Sequence, residues 1–325
     1  MLQRRSSVVA GAVCVWALWL AALTPVRAED VLVTQYKADP SGAPFAVAIA
    51  KGFFKQAGID ITGVISGAGG GASVRAAMAS ALGYGDVSPA PVIAAIDQGQ
   101  DLRIVNIGTR LLDLNIVVMP NSPIKSIADL KGKKFSISEP KSLGEMTAVL
   151  VEEKAGLHPQ DMQRVVFGSL PGAITALETG AADVTAIPTV LFRLKNGASK
   201  YRVILRPQDM PHLPPAIGIA TGALMKQPGK LRALLAGRRE GVKYIYEHTD
   251  DAIAILTQVY APLPADQVAQ MVHELVAAQF WSQGNMEMDL LETTERAMKY
   301  VGMLDKPVDL NKMIDTSFLP SDLQK

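Results

Sequence analysis

Ala48-Ile49-Ala50-Lys51-Gly52-Phe53-Phe54-Lys55-Gln56-Ala57-Gly58-Ile59-Asp60 decides how this chain is read. Just before it, Ser41-Gly42-Ala43-Pro44 opens a helix with a capping residue and a proline in the first turn. Phe45, Ala48, Ile49 and Phe53 recur at helical spacing, and Lys51-Gly52-Phe53-Phe54 with Gly58 closes the run. Residues 59–65 then alternate apolar side chains and read as a strand, and Val31-Leu32-Val33 upstream is a short β-branched strand. Strand, helix, strand in this rhythm means parallel βαβ units with right-handed crossovers.

Working outward, the rhythm continues. Gly67 to Ser73 is a glycine-rich turn into a helix over 74–82. Residues 83–87 form a strand, and Ser88-Pro89 starts another helix. Residues 102–107 and 114–119 follow as strands. A second block then repeats the pattern, with a short capped helix over 126–130, strands over 134–137, 165–167, 183–187 and 201–205, and helices over 143–155, over 172–178 and from Leu191. After a loop over 206–215, residues 217–221 read as one more strand. Residues 230–300 are helical, with breaks near Pro262, Pro264 and Gly284, and this tail should wrap back on the first block. The helix–glycine–strand–proline order of 74–89 is echoed over 173–188, which suggests two similar lobes that face a shared cleft.

Residues 1–28 read as a secretory signal: Arg4 and Arg5, an apolar run from Val8 to Leu23, then Val26-Arg27-Ala28 with small residues at the cleavage positions. Cleavage is expected between Ala28 and Glu29. A membrane anchor would need roughly 20 apolar residues and a basic stop, and the run is shorter than that. Cys14, the single cysteine, follows Val13 rather than a small residue, so it is a poor lipidation site. Arg4-Arg5 hints at a twin-arginine route, but Ser6-Ser7-Val8 continues it poorly. The exported chain would be periplasmic and free of cysteine, and would fold on its hydrophobic core alone.

The chain has 325 residues, 49% hydrophobic and 19% charged, which excludes a disordered or coiled-coil protein. With 32 basic and 31 acidic residues it offers no field to hold nucleic acid.

The opening stretch resembles the "AxxKGFFxxxGLDV" segment of periplasmic substrate-binding proteins of ABC importers. Ser126-Ile127-Ala128-Asp129-Leu130-Lys131-Gly132-Lys133-Lys134 resembles their "sxxDLKGKkv", and Leu177-Glu178-Thr179-Gly180-Ala181-Ala182-Asp183-Val184 their "LxxGxaDv". The order fits nearly the whole exported chain and points to the nitrate/sulfonate/taurine-binding and thiamin-pyrimidine-precursor-binding group. The resemblance implies an α/β, two-lobed type II fold with a helical C-terminal tail on the first lobe. Lobe 1 would comprise 29–113 plus 216–325 and lobe 2 would comprise 114–215. Two hinge strands, near Leu111–Leu114 and Ala216–Ile219, would join them. It further implies closure around a small molecule and delivery to an inner-membrane permease with its cytoplasmic ATPase, by a monomer.

Helix starts leave backbone N–H groups unpaired and carry the positive end of the dipole, so they hold anions without a basic side chain. Gly42-Ala43-Pro44, Gly67-Ala68-Gly69-Gly70-Gly71 and Ser88-Pro89 in the first block, and Ser142-Leu143-Gly144 in the second, are such starts. A plain capping role explains Ser142 with Glu145, and Ser126 with Asp129, equally well. Lys141 leads the candidate cations, ahead of Arg75 and Arg110, against the ordinary reading of each as a solvated charge. Thr189 follows a strand end where the second lobe meets the cleft, and Tyr36 and Phe45 can each offer a ring. Trp281 lies far along the tail. Residues 67–72 also fit G-x-G-x-x-A, but they follow the second strand rather than the first, and an exported protein meets little NAD.

There is no GxSxG, GxxxxGK[ST] or HExxH, and His158, His212, His248 and His273 are scattered. No catalytic residue, metal or cofactor is expected. The expected function is capture of a small anionic or polar solute: an alkanesulfonate, a taurine-like compound or a small carboxylate. A neutral pyrimidine is the alternative ligand, and a metabolic enzyme on the same fold the alternative class.

Overall fold

The computed structural model describes residues 29–324 apart from Pro159, Pro211 and Val301; the signal segment, with Ala28, lies outside the described residues. Ten strands form two mixed sheets. The first contains β1 (Glu29–Thr34), β2 (Ile61–Gly67), β3 (Tyr84–Val87), β4 (Leu102–Ile107) and β10 (Ile217–Thr221), in the order β2-β1-β3-β10-β4. The second contains β5 (Leu114–Val118), β6 (Lys134–Ile137), β7 (Gln163–Val166), β8 (Val184–Pro188) and β9 (Arg202–Leu205), in the order β7-β6-β8-β5-β9. β1 runs parallel to β2 and β3, and β6 parallel to β7 and β8. β10 and β5 each run antiparallel to both neighbours.

The helices fill the connections as the apolar spacing requires. α1 (Ala43–Lys51), α2 (Phe53–Ala57), α3 (Gly70–Ala79) and α4 (Pro89–Asp97) serve the first sheet. α5 (Leu143–Lys154), α6 (Leu170–Glu178), α7 (Thr189–Leu194) and α8 (Gly197–Lys200) serve the second. α9 (Gly222–Met225), α10 (Pro228–Glu247), α11 (Thr249–Val259), α12 (Ala265–Ala277), α13 (Met288–Tyr300) and α14 (Leu310–Met313) form the tail. No described helix is long and apolar enough to cross a membrane.

The tail does wrap back on the first block. Gly241 lets α10 lie directly on α1: a Cβ there would come within 2.3 Å of the Pro44 carbonyl oxygen. Phe45, Phe54, Leu231, Leu234 and Leu235 close one core between α10 and the first sheet, and Val47, Val242, Leu256, Val268 and Trp281 a second beneath α11 and α12. α10 and α11 break at His248, where no proline or glycine announces it. Past α14 the chain returns to the sheet edge, where Asp315 N donates to Ile104 O at 2.9 Å.

The chain crosses between sheets twice, over 108–113 and over 206–216. Gly108 N and Thr109 N both donate to Ala216 O, at 2.9 and 3.1 Å, and Ala216 N donates to Thr109 Oγ1 at 3.0 Å. Ile217 to Ile219 pair with β3 and β4 inside the first sheet, in the strand read from sequence over 217–221.

Candidate functional site

Between the facing strand ends lies a cavity of about 40 Å³. Thr34, Asp39, Ser41, Gly69, Gly70 and Ser88 line it from the first sheet. Ser136, Ser138, Ser142, Gly144 and Thr185 line it from the second, with Leu114 at the start of β5 and Ala216 at the end of the second crossing. No lysine or arginine is among the lining residues. At ~10–15 Å³ for one water, the space admits only about three or four water-sized atoms.

Local chemistry aims five helix starts at this space. Asp39 caps the turn Pro40–Gly42 that feeds α1, its Oδ1 accepting from Ser41 N at 2.8 Å. β2 ends at Gly67, and Gly69 (φ 120°) and Gly70 (φ 50°) turn the chain into α3 in conformations that side chains with a Cβ resist. Ser88 caps α4 with no side-chain hydrogen bond to the helix, so its hydroxyl is uncommitted. Ser142 caps α5, its Oγ accepting from Glu145 N at 3.3 Å, and Ser169 caps α6, accepting from Gly172 N at 3.1 Å. Thr34 Oγ1 is buried and has no partner among the described residues. Ser136 Oγ, by contrast, donates to Ala173 O at 2.8 Å.

The charge nearest the ligand space is negative. Asp39 is buried, and burial raises its carboxyl above the usual range although Ser41 pulls it back. Behind it, Asp86 on β3 is fully buried. Burial pushes its carboxyl up to about 6; Arg238 opposes that and Asp39 adds to it. Arg238 Nε stands 3.6 Å from Asp86 Oδ2, while Nη1 donates to Ser282 O at 2.9 Å and Nη2 to Gly108 O at 2.6 Å. Arg238, the only buried cation among the described residues, therefore ties the tail to the first crossing rather than facing the cavity. Across the cleft Glu139 reaches Gly70: a Cβ at Gly70 would lie 3.1 Å from Glu139 Oε2.

Of the residues singled out from sequence, Ser88, Ser142 and Gly144 come together on the cavity wall. Tyr36, Gly42, Ala43, Gly67 and Ala68 are not among the lining residues. Tyr36 covers Gly42, where a Cβ would come within 2.6 Å of its ring, and Ala43 is fully buried. Gly67 abuts Ser73, whose Oγ accepts from Gly69 N at 2.9 Å. Lys141 is off the lining: its backbone is left-handed (φ 60°) and its N–H donates to Glu145 Oε2 at 2.7 Å. Arg110 pairs with Glu287 at 2.7 Å, Arg75 is exposed and Phe45 is core. Thr189 lines a different hollow, where its hydroxyl donates to Asp113 Oδ1 at 2.6 Å. Gly69 and Gly70, within the glycine-rich helix start singled out from sequence, also line the cavity, whereas sequence reasoning missed Thr34, Asp39, Ser136, Ser138 and Thr185. Thr34 to Ser41 and Ser138 could have been found as turns at the carboxyl ends of parallel strands, where such folds gather ligands. Among the described residues no group of three His, Cys, Asp or Glu could hold a metal.

Solved structures share this fold. The periplasmic aliphatic sulphonate binding protein of Escherichia coli matches with TM-score 0.69 at 19% identity, over 89% of this chain and 97% of that one. The alkanesulfonate-binding protein of Xanthomonas axonopodis pv. citri bound to MOPS matches with TM-score 0.70 at 16% identity, over 88% and 97%. The periplasmic nitrate-binding protein of Synechocystis PCC 6803 matches with TM-score 0.68 at 13% identity, over 90% and 87%. The chain thus has the two-lobed α/β fold of periplasmic binding proteins. No curated protein matches it in sequence. The NMT1/THI5-like family model matches residues 39–252, well over half the chain, and the chain belongs to that family.

Proposed function

We propose that this chain is the periplasmic solute-binding component of an ABC importer. It captures a small solute with a compact oxyanionic or polar head, such as an alkanesulfonate, a taurine-like compound or a small carboxylate. It hands that solute to an inner-membrane permease with a cytoplasmic ATPase, and it does no chemistry on it. The observation that carries this reading is the convergence of five helix starts on a cavity with no cationic side chain in its wall. The unpartnered Thr34 and uncommitted Ser88 hydroxyls add donors. The lobes, 29–113 plus 216–325 and 114–215, close as rigid bodies about the two crossings. Export follows cleavage between Ala28 and Glu29, and the protein acts as a monomer.

Asp39 favours a second reading, a neutral pyrimidine of the thiamin-precursor type. A buried carboxyl raised in pKa can sit opposite a ring nitrogen and an exocyclic amine, where an oxyanion would be repelled.

Thermal shift and calorimetry with sulfonates, taurine, small carboxylates, nitrate and pyrimidines decide between them. The first reading expects an oxyanion to raise the melting temperature by mass action, and Ser88→Ala to weaken it about tenfold. Tight binding of a pyrimidine alone, abolished by Asp39→Asn, establishes the second. Turnover of a bound solute would overturn both. Mass spectrometry of the periplasmic protein should find Glu29 at its N-terminus; a chain that keeps Trp16 and Trp19 and pellets with membranes would refute export.

A further inference from the structure

Beside the cleft cavity lies a much larger hollow, of about 1090 Å³, on the other face of the first crossing. Successive residues of an extended chain point to opposite sides. Leu114 lines the cleft cavity, whereas its neighbours Asp113 and Asn115 line the hollow. α7, from the second sheet, forms one wall and α12, from the tail, the other, with Arg206 and Met210 on the return crossing between them. Leu112, Phe192, Met271 and Phe280 give the hollow apolar surface.

Arg193, Arg206, His212 and Glu274 also line the hollow, and Asp113 is its one buried carboxylate among the described residues. Asp113 is 7% exposed. Its Oδ1 accepts from the Thr189 hydroxyl at 2.6 Å, and Asn115 Nδ2 donates to that same hydroxyl at 3.3 Å. Its Oδ2 is buried with no hydrogen-bond partner among the described residues. Arg193, on the α7 wall, makes no hydrogen bond to it: its Nη1 and Nη2 donate to Gln270 and Glu274 at 3.0 and 2.9 Å, and its buried Nε has no partner among the described residues. A buried carboxylate oxygen without a donor is costly. Burial pushes the Asp113 carboxyl up to about 7; Thr189 and Arg193 oppose that, and Asp39 and Glu274 add to it.

We propose that this hollow is a second ligand site, specific for a small primary amine with an apolar body, whose ammonium donates to Asp113 Oδ2. An ammonium supplies three donors and a charge, so its bond to the carboxylate is roughly twice as strong as that of a neutral hydroxyl. The body of the amine lies against Phe192 on one wall and Met271 and Phe280 on the other. Those walls belong to different lobes, so an occupant bridges α7 and α12 and favours this arrangement over one in which they part.

The test is titration calorimetry of the purified protein with benzylamine, and with benzyl alcohol as the uncharged match. Benzylamine should bind at least about tenfold more tightly than the alcohol, and Asp113→Asn should erase the difference. Ala198→Trp, an exposed position on the rim, should fill the hollow and weaken benzylamine at least about tenfold, with an unchanged melting temperature as the folding control. If Asp113→Asn does not fold, the alcohol comparison and Ala198→Trp decide. Equal affinity for amine and alcohol overturns the proposal. So does benzylamine binding untouched by Ala198→Trp, or no binding up to about 10 mM. None of these results bears on the solute in the cleft.

Discussion

The two sheets are built to one plan and stabilised by different chemistry. Each has a parallel trio, then an antiparallel strand contributed across the lobe boundary, then an edge. Within that plan Val33 pairs with Asp86 between β1 and β3, and Ser136 with Thr185 between β6 and β8. Asp86 and Thr185 are both completely buried. The first sheet therefore carries a charge where the second carries a hydroxyl. Asp86 has only the Arg238 guanidinium for company, at 3.6 Å, and neither of its oxygens is hydrogen-bonded. In the second sheet Ser136 bonds Ala173 O and Thr185 donates to Ser136 O at 3.4 Å, all neutral. The first lobe needs the charge because its tail must be held: Arg238 links α10 to Gly108 and Ser282 while Asp86 balances it. The second lobe has no comparable tail.

Mutation should expose this difference most strongly at Arg238. Arg238→Leu strands a buried carboxylate and should cost about 3–5 kcal/mol in urea denaturation. Thr185→Val should cost only about 1 kcal/mol. Adding Asp86→Asn to Arg238→Leu should recover much of the loss; a double variant as unstable as the sum of the singles would break the comparison.

Acidity should act on the lobes with opposite sign. The Asp86 carboxyl is raised from 3.8 to about 6, so its protonated form stabilises the fold below the lower value and that contribution is lost as pH rises through about 6. On α6 burial pushes Glu178 up, but Lys200, Tyr201 and Lys195 outweigh it and hold it at about 2. Its contribution is whole above 4.5 and is lost as pH falls towards about 2. Relative to Asp86→Asn, the native protein should therefore be more stable near pH 4 than near pH 7; relative to Glu178→Gln it should be more stable near pH 7 than near pH 3. Denaturation midpoints across pH with the same sign for both variants would sink the contrast.

The smallest effects fall on the two cap serines. Ser142→Ala removes a cap bond and should cost about 1 kcal/mol of stability. Ser88→Ala removes none and should stay within about 0.5 kcal/mol, so any loss of solute affinity there reports contact rather than folding.

Both sheets were legible in the sequence because apolar periodicity and the glycine and proline stops are local signals. Such signals do not reach the cavity wall. Ser136 and Thr185 sit mid-strand, where nothing local separates a wall hydroxyl from a core one, and Asp86 reads as a strand residue until Arg238 is brought to it from the tail. Lys141 drew attention by its charge, yet a left-handed turn carries its side chain off the lining. The break at His248 and the return of Asp315 to β4 rest on tertiary packing that leaves no mark in sequence.

Trp281 has a use that its burial makes available. It is the one tryptophan among the described residues, 1% exposed, and its indole Nε1 donates to Pro40 O at 2.9 Å, in the turn that leads from Asp39 into α1. Its backbone bridges to Thr109, in the first crossing. An intrinsic fluorophore is thus wired to both the cleft wall and the joint between the lobes. Excited selectively, it gives the protein a single-site optical readout in which emission shifts and quenching follow the cleft turn and the joint together, with no label attached.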